Sequence, residues 1–411
     1  MKIGIVQFPG SNCERETKLA LLRNKFKPVD CFWHNSAAFI SKLDGFVIVG
    51  GFSYEDRVRS GLIASKNPFM RVLANEAGRG KPILGICNGA QILIESGLVP
   101  GFTDHRVVMA LTHNHRMQQD RLVGTGFYNN WVYIRTATHD TPIRLPVAHA
   151  EGRFLITRAL YQALQQSGAQ CYYYCDANGN IIPEFPINPN GSHYNLAAIS
   201  NFSGNVLAMM PHPERTPEGD IIFQHFFTKS LKINYQNRCN LPKNDEQSRE
   251  KTVNSIVKSK RDKNLLHYWV ALLIHDNEAI SLEATLQQMG LTVCVKKRVH
   301  WQITVPPDSD KLLLDIFIRA SDELFNRQKE SLVSKPIGKL VYFVREREDK
   351  LALSKQNTLR KRLQLFNLTL IREIVWQITC RAENIYRVKA VLENQTVLAN
   401  PLAHTEWIDE N

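Results

Sequence analysis

Three short apolar runs constrain the first 230 residues more than any other feature. They read IGIVQF at 3–8, FVIVG at 46–50 and PILGIC at 82–87. Each is rich in β-branched residues and too short for a core helix. A continuous apolar run of this length predicts a strand buried on both faces, as in a parallel sheet covered by helices. The stretches Glu14–Asn24 and Asn67–Ala77 between them have helical composition. Strands that alternate with helices imply βαβ units and an open α/β sheet.

Beyond residue 230 the chain changes character. Residues 231–263 are polar and poor in aromatics, with 9 Lys/Arg against 4 Asp/Glu. Such a segment buries too little apolar surface to offset ordering, and is expected to be a charged linker. Residues 264–411 look duplicated. Trp301-Gln302-Ile303-Thr304 recurs as Trp376-Gln377-Ile378-Thr379, 75 positions later. Each copy is preceded by an apolar strand (Tyr268–Ile274, Lys339–Val344) and a helical stretch (Ala279–Met289, Asn357–Phe366). Each is followed by another helix (Ser309–Leu324, Glu383–Asn394). The expected order is strand, helix, hairpin, helix, twice. The predicted domains are therefore 1–230, the linker 231–263, and repeats at 264–335 and 336–411.

Charge and composition exclude several classes. The 411 residues carry a formal net charge of +12. Residues 1–230 hold 22 Lys/Arg against 17 Asp/Glu, whereas the 33-residue linker alone holds an excess of five. That is not a uniformly basic nucleic-acid surface, and no nucleic-acid partner is expected. No apolar run reaches the roughly 18 residues of a membrane span, so no membrane association is expected. The N-terminus MKIGIVQFPGSN reads as a strand and a turn rather than a secretion signal. The eight cysteines, at 13, 31, 87, 171, 175, 239, 294 and 380, are scattered, which fits a reducing cytoplasm. Cys171-x-x-x-Cys175 lacks a second ligand pair, so no metal site is expected.

The chemistry concentrates in three places. Gly85-Ile86-Cys87-Asn88-Gly89-Ala90-Gln91 follows directly on the strand-like PILGI. A G-x-C-x-G between strand and helix is the thiol form of a nucleophile elbow. The helix N-terminus after it favours thiolate. Met209-Met210-Pro211-His212-Pro213-Glu214-Arg215 follows the strand-like NVLAMM. Its prolines fix the backbone around His212, and Glu214 is placed to accept the second ring N–H. Cys87, His212 and Glu214 thus form a candidate nucleophile, base and orienting group. Gly50-Gly51-Phe52-Ser53-Tyr54 follows the strand FVIV. A Gly-Gly turn there exposes backbone amides that, with the amide of Asn88, can form an oxyanion hole.

Together, CNGAQ, MPHPER and GGFSY resemble the class I glutamine amidotransferases. Within these they are most similar to the glutaminase subunits of phosphoribosylformylglycinamidine synthase, an enzyme of purine biosynthesis. Phe8–Cys13, Ala148–Arg153 and Pro186–Ser192 carry further matching strings. The resemblance covers about 1–230 and implies a flavodoxin-like open sheet and a glutaminase activity. It implies that Cys87 is the nucleophile, His212 the base and acid, and Glu214 the orienting residue. It further implies that Gly51, Phe52 and Asn88 line the oxyanion hole, and that Gln91 and Asn114 contact glutamine. Two positions depart from the family pattern: Glu55 stands where glycine is usual in FSYGD, and Ala150 also replaces a glycine. The stretch Leu392–Glu406, with Val397-Leu398-Ala399-Asn400-Pro401, resembles the end of the small PurS component of the same synthase. That component has a βαββα fold and forms dimers, so a tandem copy implies a bridging module to the synthetase.

The sequence has no G-x-x-x-x-G-K-[ST] loop. No cofactor is expected in this chain; ATP and magnesium are expected on a separate PurL-type synthetase partner. Two alternatives stand beside this reading. One is a catalytically silent assembly subunit of the same complex. The other is a different cysteine hydrolase on the same fold.

Overall fold

The computed structural model describes residues 1–137, 141–229 and 264–408. The linker expected at 231–263 lies outside the described residues. The chain divides into two compact units, Met1–Leu241 and Pro242–Asn411.

The first unit is built on a nine-stranded mixed sheet. Its parallel part comes from β1 (Lys2–Gln7), β2 (Lys27–Phe32), β3 (Gly45–Ile48) and β4 (Ile83–Ile86). The helices α1 (Glu14–Arg23), α2 (Ala37–Ile40), α3 (Leu62–Lys66) and α4 (Phe69–Gly78) fall between these strands. α5 (Asn88–Glu95) follows β4. Next come the short strands β5 (Ala110–His113), β6 (His115–Gln118) and β7 (Arg121–Thr125), then β8 (Tyr128–Thr136), β9 (Ile143–His149) and β10 (Glu151–Leu155). The unit ends with α6 (Arg158–Gln166), β11 (Cys171–Cys175), β12 (Leu196–Ser200), β13 (Val206–Met209) and α7 (Asp220–Lys229). The strand order is β2-β1-β3-β4-β13-β12-β11-β8-β9. β2, β1, β3, β4 and β13 are mutually parallel, and the remaining pairs are antiparallel. Five parallel strands therefore end on one edge, at Phe32, Gln7, Ile48, Ile86 and Met209. The order reverses at β1, and open sheets of this kind bind ligands outside the carboxyl ends of such strands.

The apolar runs form strands for the expected reason. Ile3, Ile5, Val6, Phe46, Val47, Ile48, Ile83, Leu84 and Ile86 are all essentially inaccessible to water. Each such side chain contributes about 1.5–3 kcal/mol of burial.

The second unit is a six-stranded antiparallel sheet made by two similar halves. The first half is β14 (Leu265–Leu272), α8 (Asn277–Gln288), β15 (Val293–Thr304), α9 (Lys311–Ala320) and β16 (Glu330–Val333). The second is β17 (Val341–Glu346), α10 (Lys350–Leu363), β18 (Thr369–Cys380), α11 (Ile385–Asn394) and β19 (His404–Ile408). The strand order, β16-β14-β15-β18-β17-β19, reads the same from either edge. β15 and β18 pair along their whole length, and Val299 faces Ile374, its counterpart 75 positions on. A local two-fold axis thus passes between these residues. Tyr268 pairs with Trp301 in one half and Tyr342 with Trp376 in the other, all four buried.

The expected hairpin is absent. In its place, Val293–Thr304 and Thr369–Cys380 each run as one 12-residue strand. Neither contains the Gly, Pro or Asn-Gly turn chemistry that reverses a chain. Each instead alternates sides without a break and finds its partner in the other half. The order in each half is strand, helix, strand, helix, strand.

Candidate active site

Four strand ends bring the chemistry together. At the end of β4, Cys87 has φ 52° and ψ −106°, a conformation that non-glycine residues rarely adopt. Its amide donates to Met209 O at 2.7 Å, which ties the elbow to β13. Two glycines allow the turn. A Cβ on Gly85 would lie 2.5 Å from Gly89 O, and one on Gly89 would lie 2.0 Å from Ile48 O. The start of α5 is therefore pressed against β3 and β4 with no room for a side chain. The thiol donates to Ala148 O at 3.8 Å.

His212 follows β13, and its amide donates to Pro146 O of β9 at 2.9 Å. Its Nδ1 lies 2.6 Å from Glu214 Oε1, and both side chains are essentially inaccessible. The carboxylate accepts the Nδ1 proton, which leaves Nε2 for proton transfer. Nε2 is buried without a hydrogen-bond partner. Burial works against a charge on the ring. The Glu214 carboxylate, with Cys87 and Cys13 beside the ring, outweighs it and holds His212 well above the ordinary imidazole range.

Gly50, after β3, packs against both groups: a Cβ there would be 3.1 Å from His212 Cε1 and 3.6 Å from Cys87 Cβ. The amides of Gly51 and Asn88 donate to no acceptor among the described residues. Asn88 is the first residue of α5, where amides lack an intrahelical partner. Phe52 differs from expectation. Its amide donates to Gly10 O at 3.0 Å, so it is not available to an oxyanion, and its ring is half exposed.

The two residues expected at glutamine are turned into the protein. Gln91 accepts from Asn88 Nδ2 at 2.9 Å and donates to Glu151 O at 2.6 Å. Asn114 donates to His149 O and Gly126 O, and its Oδ1 accepts from Gly152 N. That amide has no group left for a ligand. It orients His149 instead, whose Nδ1 lies 3.1 Å from Asn114 Oδ1. Because that oxygen is an acceptor, Nδ1 carries the proton and Nε2 is a buried lone pair with no partner. Burial, aided by His212, pushes the His149 pKa down to about 3, so the ring stays neutral.

Asp56 and Cys13 also belong to this region; no pattern local to the sequence marks Asp56, and Cys13 is marked only as the end of the matching string Phe8–Cys13. Asn88 Nδ2 donates to Asp56 Oδ1 at 3.1 Å. Burial, with Glu151 nearby, raises the Asp56 pKa from 3.8 to about 7. Tyr54, Glu55 and Asp56 have consecutive φ values of 51°, 57° and 52°. The Glu55 departure thus falls on a left-handed residue, where glycine is the unstrained choice. Ala150 adopts no positive φ, so its extra methyl carries no such strain.

Residues 1–228 match the family described as the CobB/CobQ-like glutamine amidotransferase domain. The chain belongs to this amidotransferase family. A protein of Methanothrix thermoacetophila, named phosphoribosylformylglycinamidine synthase subunit PurQ, is 44% identical over 231 residues, or 52% of this chain and 86% of that protein. A protein of the same name from Moorella thermoacetica is 38% identical over 229 residues, covering 53% and 89%. Among solved structures, the "Structure of PurLQS from Thermotoga maritima" matches with 29% identity and a TM-score of 0.43. It covers 56% of this chain and 98% of that one. The amidotransferase match coincides with the nine-stranded unit that carries Cys87 and His212. Among the described residues, no helix is long and apolar enough to cross a membrane.

Proposed function

We propose that this chain is the glutaminase component of phosphoribosylformylglycinamidine synthase, working in the cytoplasm on the purine pathway. The observation that carries the reading is Cys87, strained at the head of α5, beside a His212–Glu214 pair at 2.6 Å. The Cys87 thiolate attacks the side-chain carboxamide carbon of glutamine. The amides of Gly51 and Asn88 receive the developing oxyanion. His212 gives its Nε2 proton to the departing ammonia and leaves a thioester on Cys87. It then takes a proton from water, whose oxygen attacks the thioester and releases glutamate. Glu214 keeps the ring oriented and stabilises its charged form.

The ammonia passes to a separate PurL-type synthetase, which supplies ATP and magnesium. The duplicated sheet of 264–408 acts as the PurS-like bridging module. Its palindromic strand order is what two copies of one small subunit would give if joined in a single chain.

Glutamine-dependent ammonium release by the full chain, alone and with the co-purified synthetase, tests the reading. Cys87→Ser should abolish glutamine-dependent activity and leave ammonia-dependent synthesis by the complex intact. A serine variant that hydrolyses glutamine at the wild-type rate removes Cys87 from the mechanism. A wild-type chain with no glutaminase activity in the presence of its partner favours a silent assembly role.

A further inference from the structure

The mechanism leaves one buried imidazole without a task. His149 ends β9 and is only 3% exposed. It belongs to the β9–β10 turn, which touches the site at two points. Ala148 O accepts from the Cys87 thiol at 3.8 Å, and Glu151 O accepts from Gln91 at 2.6 Å. The His149 ring falls between these points in the chain, close enough to His212 to feel its charge. A shell of buried groups holds the ring. Asn114 Oδ1 accepts from its Nδ1 and from the Gly152 amide, each at 3.1 Å. A Cβ on Gly152 would lie 2.1 Å from His149 Cε1, so glycine leaves the ring its room. Asn190, itself inaccessible to water, donates to Gly152 O at 2.7 Å and pins that residue in turn.

The shell fixes a lone pair that no protein group uses. His149 Nε2 is buried without a hydrogen-bond partner among the described residues. A buried acceptor left unmet costs about 1–3 kcal/mol, and one held this firmly is suited to a donor on a ligand. Burial and the nearby His212 charge keep a second proton off the ring, so Nε2 only accepts. Glutamine and glutamate differ in that respect. A carboxamide has one acceptor oxygen and an NH₂ donor, whereas a carboxylate has acceptors alone. The site provides for both ends of a carboxamide. The Gly51 and Asn88 amides are donors for its oxygen. Ala148 O, freed once the Cys87 thiol ionises, and His149 Nε2 are acceptors for its nitrogen.

We propose that His149 selects glutamine over glutamate by accepting a carboxamide N–H at Nε2. This deepens the reading of the chain as a glutaminase and rests on it. A γ-carboxylate in the same place sets an oxygen lone pair against the imidazole lone pair, with no proton to bridge them. The contact therefore favours the substrate over the product that hydrolysis leaves behind. A site whose polar group is left unpaired by the wrong ligand discriminates more strongly than one that differs only in shape. The contact also leaves the chemistry undisturbed. As the C–N bond breaks, the nitrogen lone pair takes the proton from His212 Nε2 while one N–H stays on His149.

The test uses the full chain with its co-purified synthetase and compares kcat/KM for glutamine with the inhibition constant of glutamate. In His149→Asn the new amide takes the place of Nδ1 and keeps the bond to Asn114, but nothing replaces Nε2. In His149→Gln an amide oxygen can stand where Nε2 was. His149→Asn should lower kcat/KM for glutamine roughly 10–100-fold while glutamate inhibits as well as before or better. His149→Gln should recover most of that loss. Equal weakening of both ligands in His149→Asn would overturn the proposal, because a residue that only holds the turn affects them alike. Unchanged kcat/KM in His149→Asn, or a His149→Gln variant no better than His149→Asn, would overturn it too. A second measurement leaves position 149 intact. Glutamate γ-methyl ester is uncharged in its side chain and close to glutamine in shape, but carries no γ N–H. It should bind the Cys87→Ser chain in that complex at least about tenfold more weakly than glutamine. Equal affinity would refute the N–H contact. A wild-type complex that releases no ammonium from glutamine refutes the functional reading and this proposal with it. Full glutaminase activity with any of the contrary results above refutes this proposal alone.

Discussion

Asp56 should make the stability of the amidotransferase unit fall as pH rises, the reverse of the usual carboxylate effect. Burial holds its pKa near 7 against an ordinary 3.8, with the Glu151 charge adding to the shift. Between about pH 4 and 7 the folded chain keeps a proton that the unfolded chain has released. Stability contributed by this group is therefore complete below the unfolded pKa, declines through that window and is level above 7. Three units at 1.36 kcal/mol each give about 4 kcal/mol, and solvent screening of a partly buried side chain reduces this to roughly 2–4 kcal/mol. Asp56→Asn keeps an oxygen for Asn88 Nδ2 but removes the charge. Denaturant unfolding of the two proteins from pH 5 to 8.5 should show an advantage for the variant that grows up to pH 7 and then stays constant. At about 2–4 °C per kcal/mol, the thermal midpoint at pH 8 should rise by roughly 4–16 °C. A constant offset at every pH would mean that Asp56 is not a buried, proton-retaining carboxyl. A variant less stable than wild type at pH 8 would mean that the carboxylate is a stabilising partner of Asn88.

Other outcomes follow from the same geometry. Glu55 sits at φ 57°, so Glu55→Gly should be more stable than Glu55→Val by about 1–2 kcal/mol in thermal unfolding. Equal stabilities would show that the left-handed conformation is not retained. Gly89→Ala places a methyl 2.0 Å from Ile48 O, which should shift the elbow, cost about 1–3 kcal/mol and abolish glutamine hydrolysis. Unchanged turnover would show that α5 can move without disturbing Cys87. His212→Ala should lose about 10²–10⁴-fold in turnover, and Glu214→Gln less, because only the ring transfers protons in both half-reactions. The reverse ranking in steady-state assays would reassign the roles.

The parallel strands were readable because their signal is local: a buried run such as FVIVG can satisfy its composition in few other ways. Cys87 and His212 were readable for a similar reason, since strand, glycine and proline flank them within a few residues. Contacts made across the fold were not. Phe52 looks like an oxyanion donor until Gly10 O is found to take its amide. Asn114 looks like a ligand contact until its amide is found clamped between His149, Gly126 and Gly152. Cys13 lies about two hundred residues from His212 in sequence, and only the adjacency of β1, β3, β4 and β13 brings them together. In the second unit the repeat was legible from Trp301 and Trp376. The hairpin reading failed because the alternation of one long strand and that of two short ones differ only by a turn signal, and none is present.

The elbow shows why so much of the site depends on atoms that do no chemistry. A left-handed non-glycine residue costs about 1–2 kcal/mol, and Cys87 also lies far from any helical ψ. That strain persists only where neighbours leave no alternative. The amide of Cys87 is fixed to Met209 O, Gly89 is jammed against Ile48 O, and Gly85 lies against Gly89 O. To relax φ, the chain would have to break the β13 contact or lift α5 away from β3. Either would expose part of a helix whose eight residues are all buried. Ile92, Leu93 and Ile94 alone would forfeit several kcal/mol of burial, more than the strain relieved. The apolar face of α5 therefore holds the thiol above the sheet edge, and the glycines are the places where that face is allowed to come close enough.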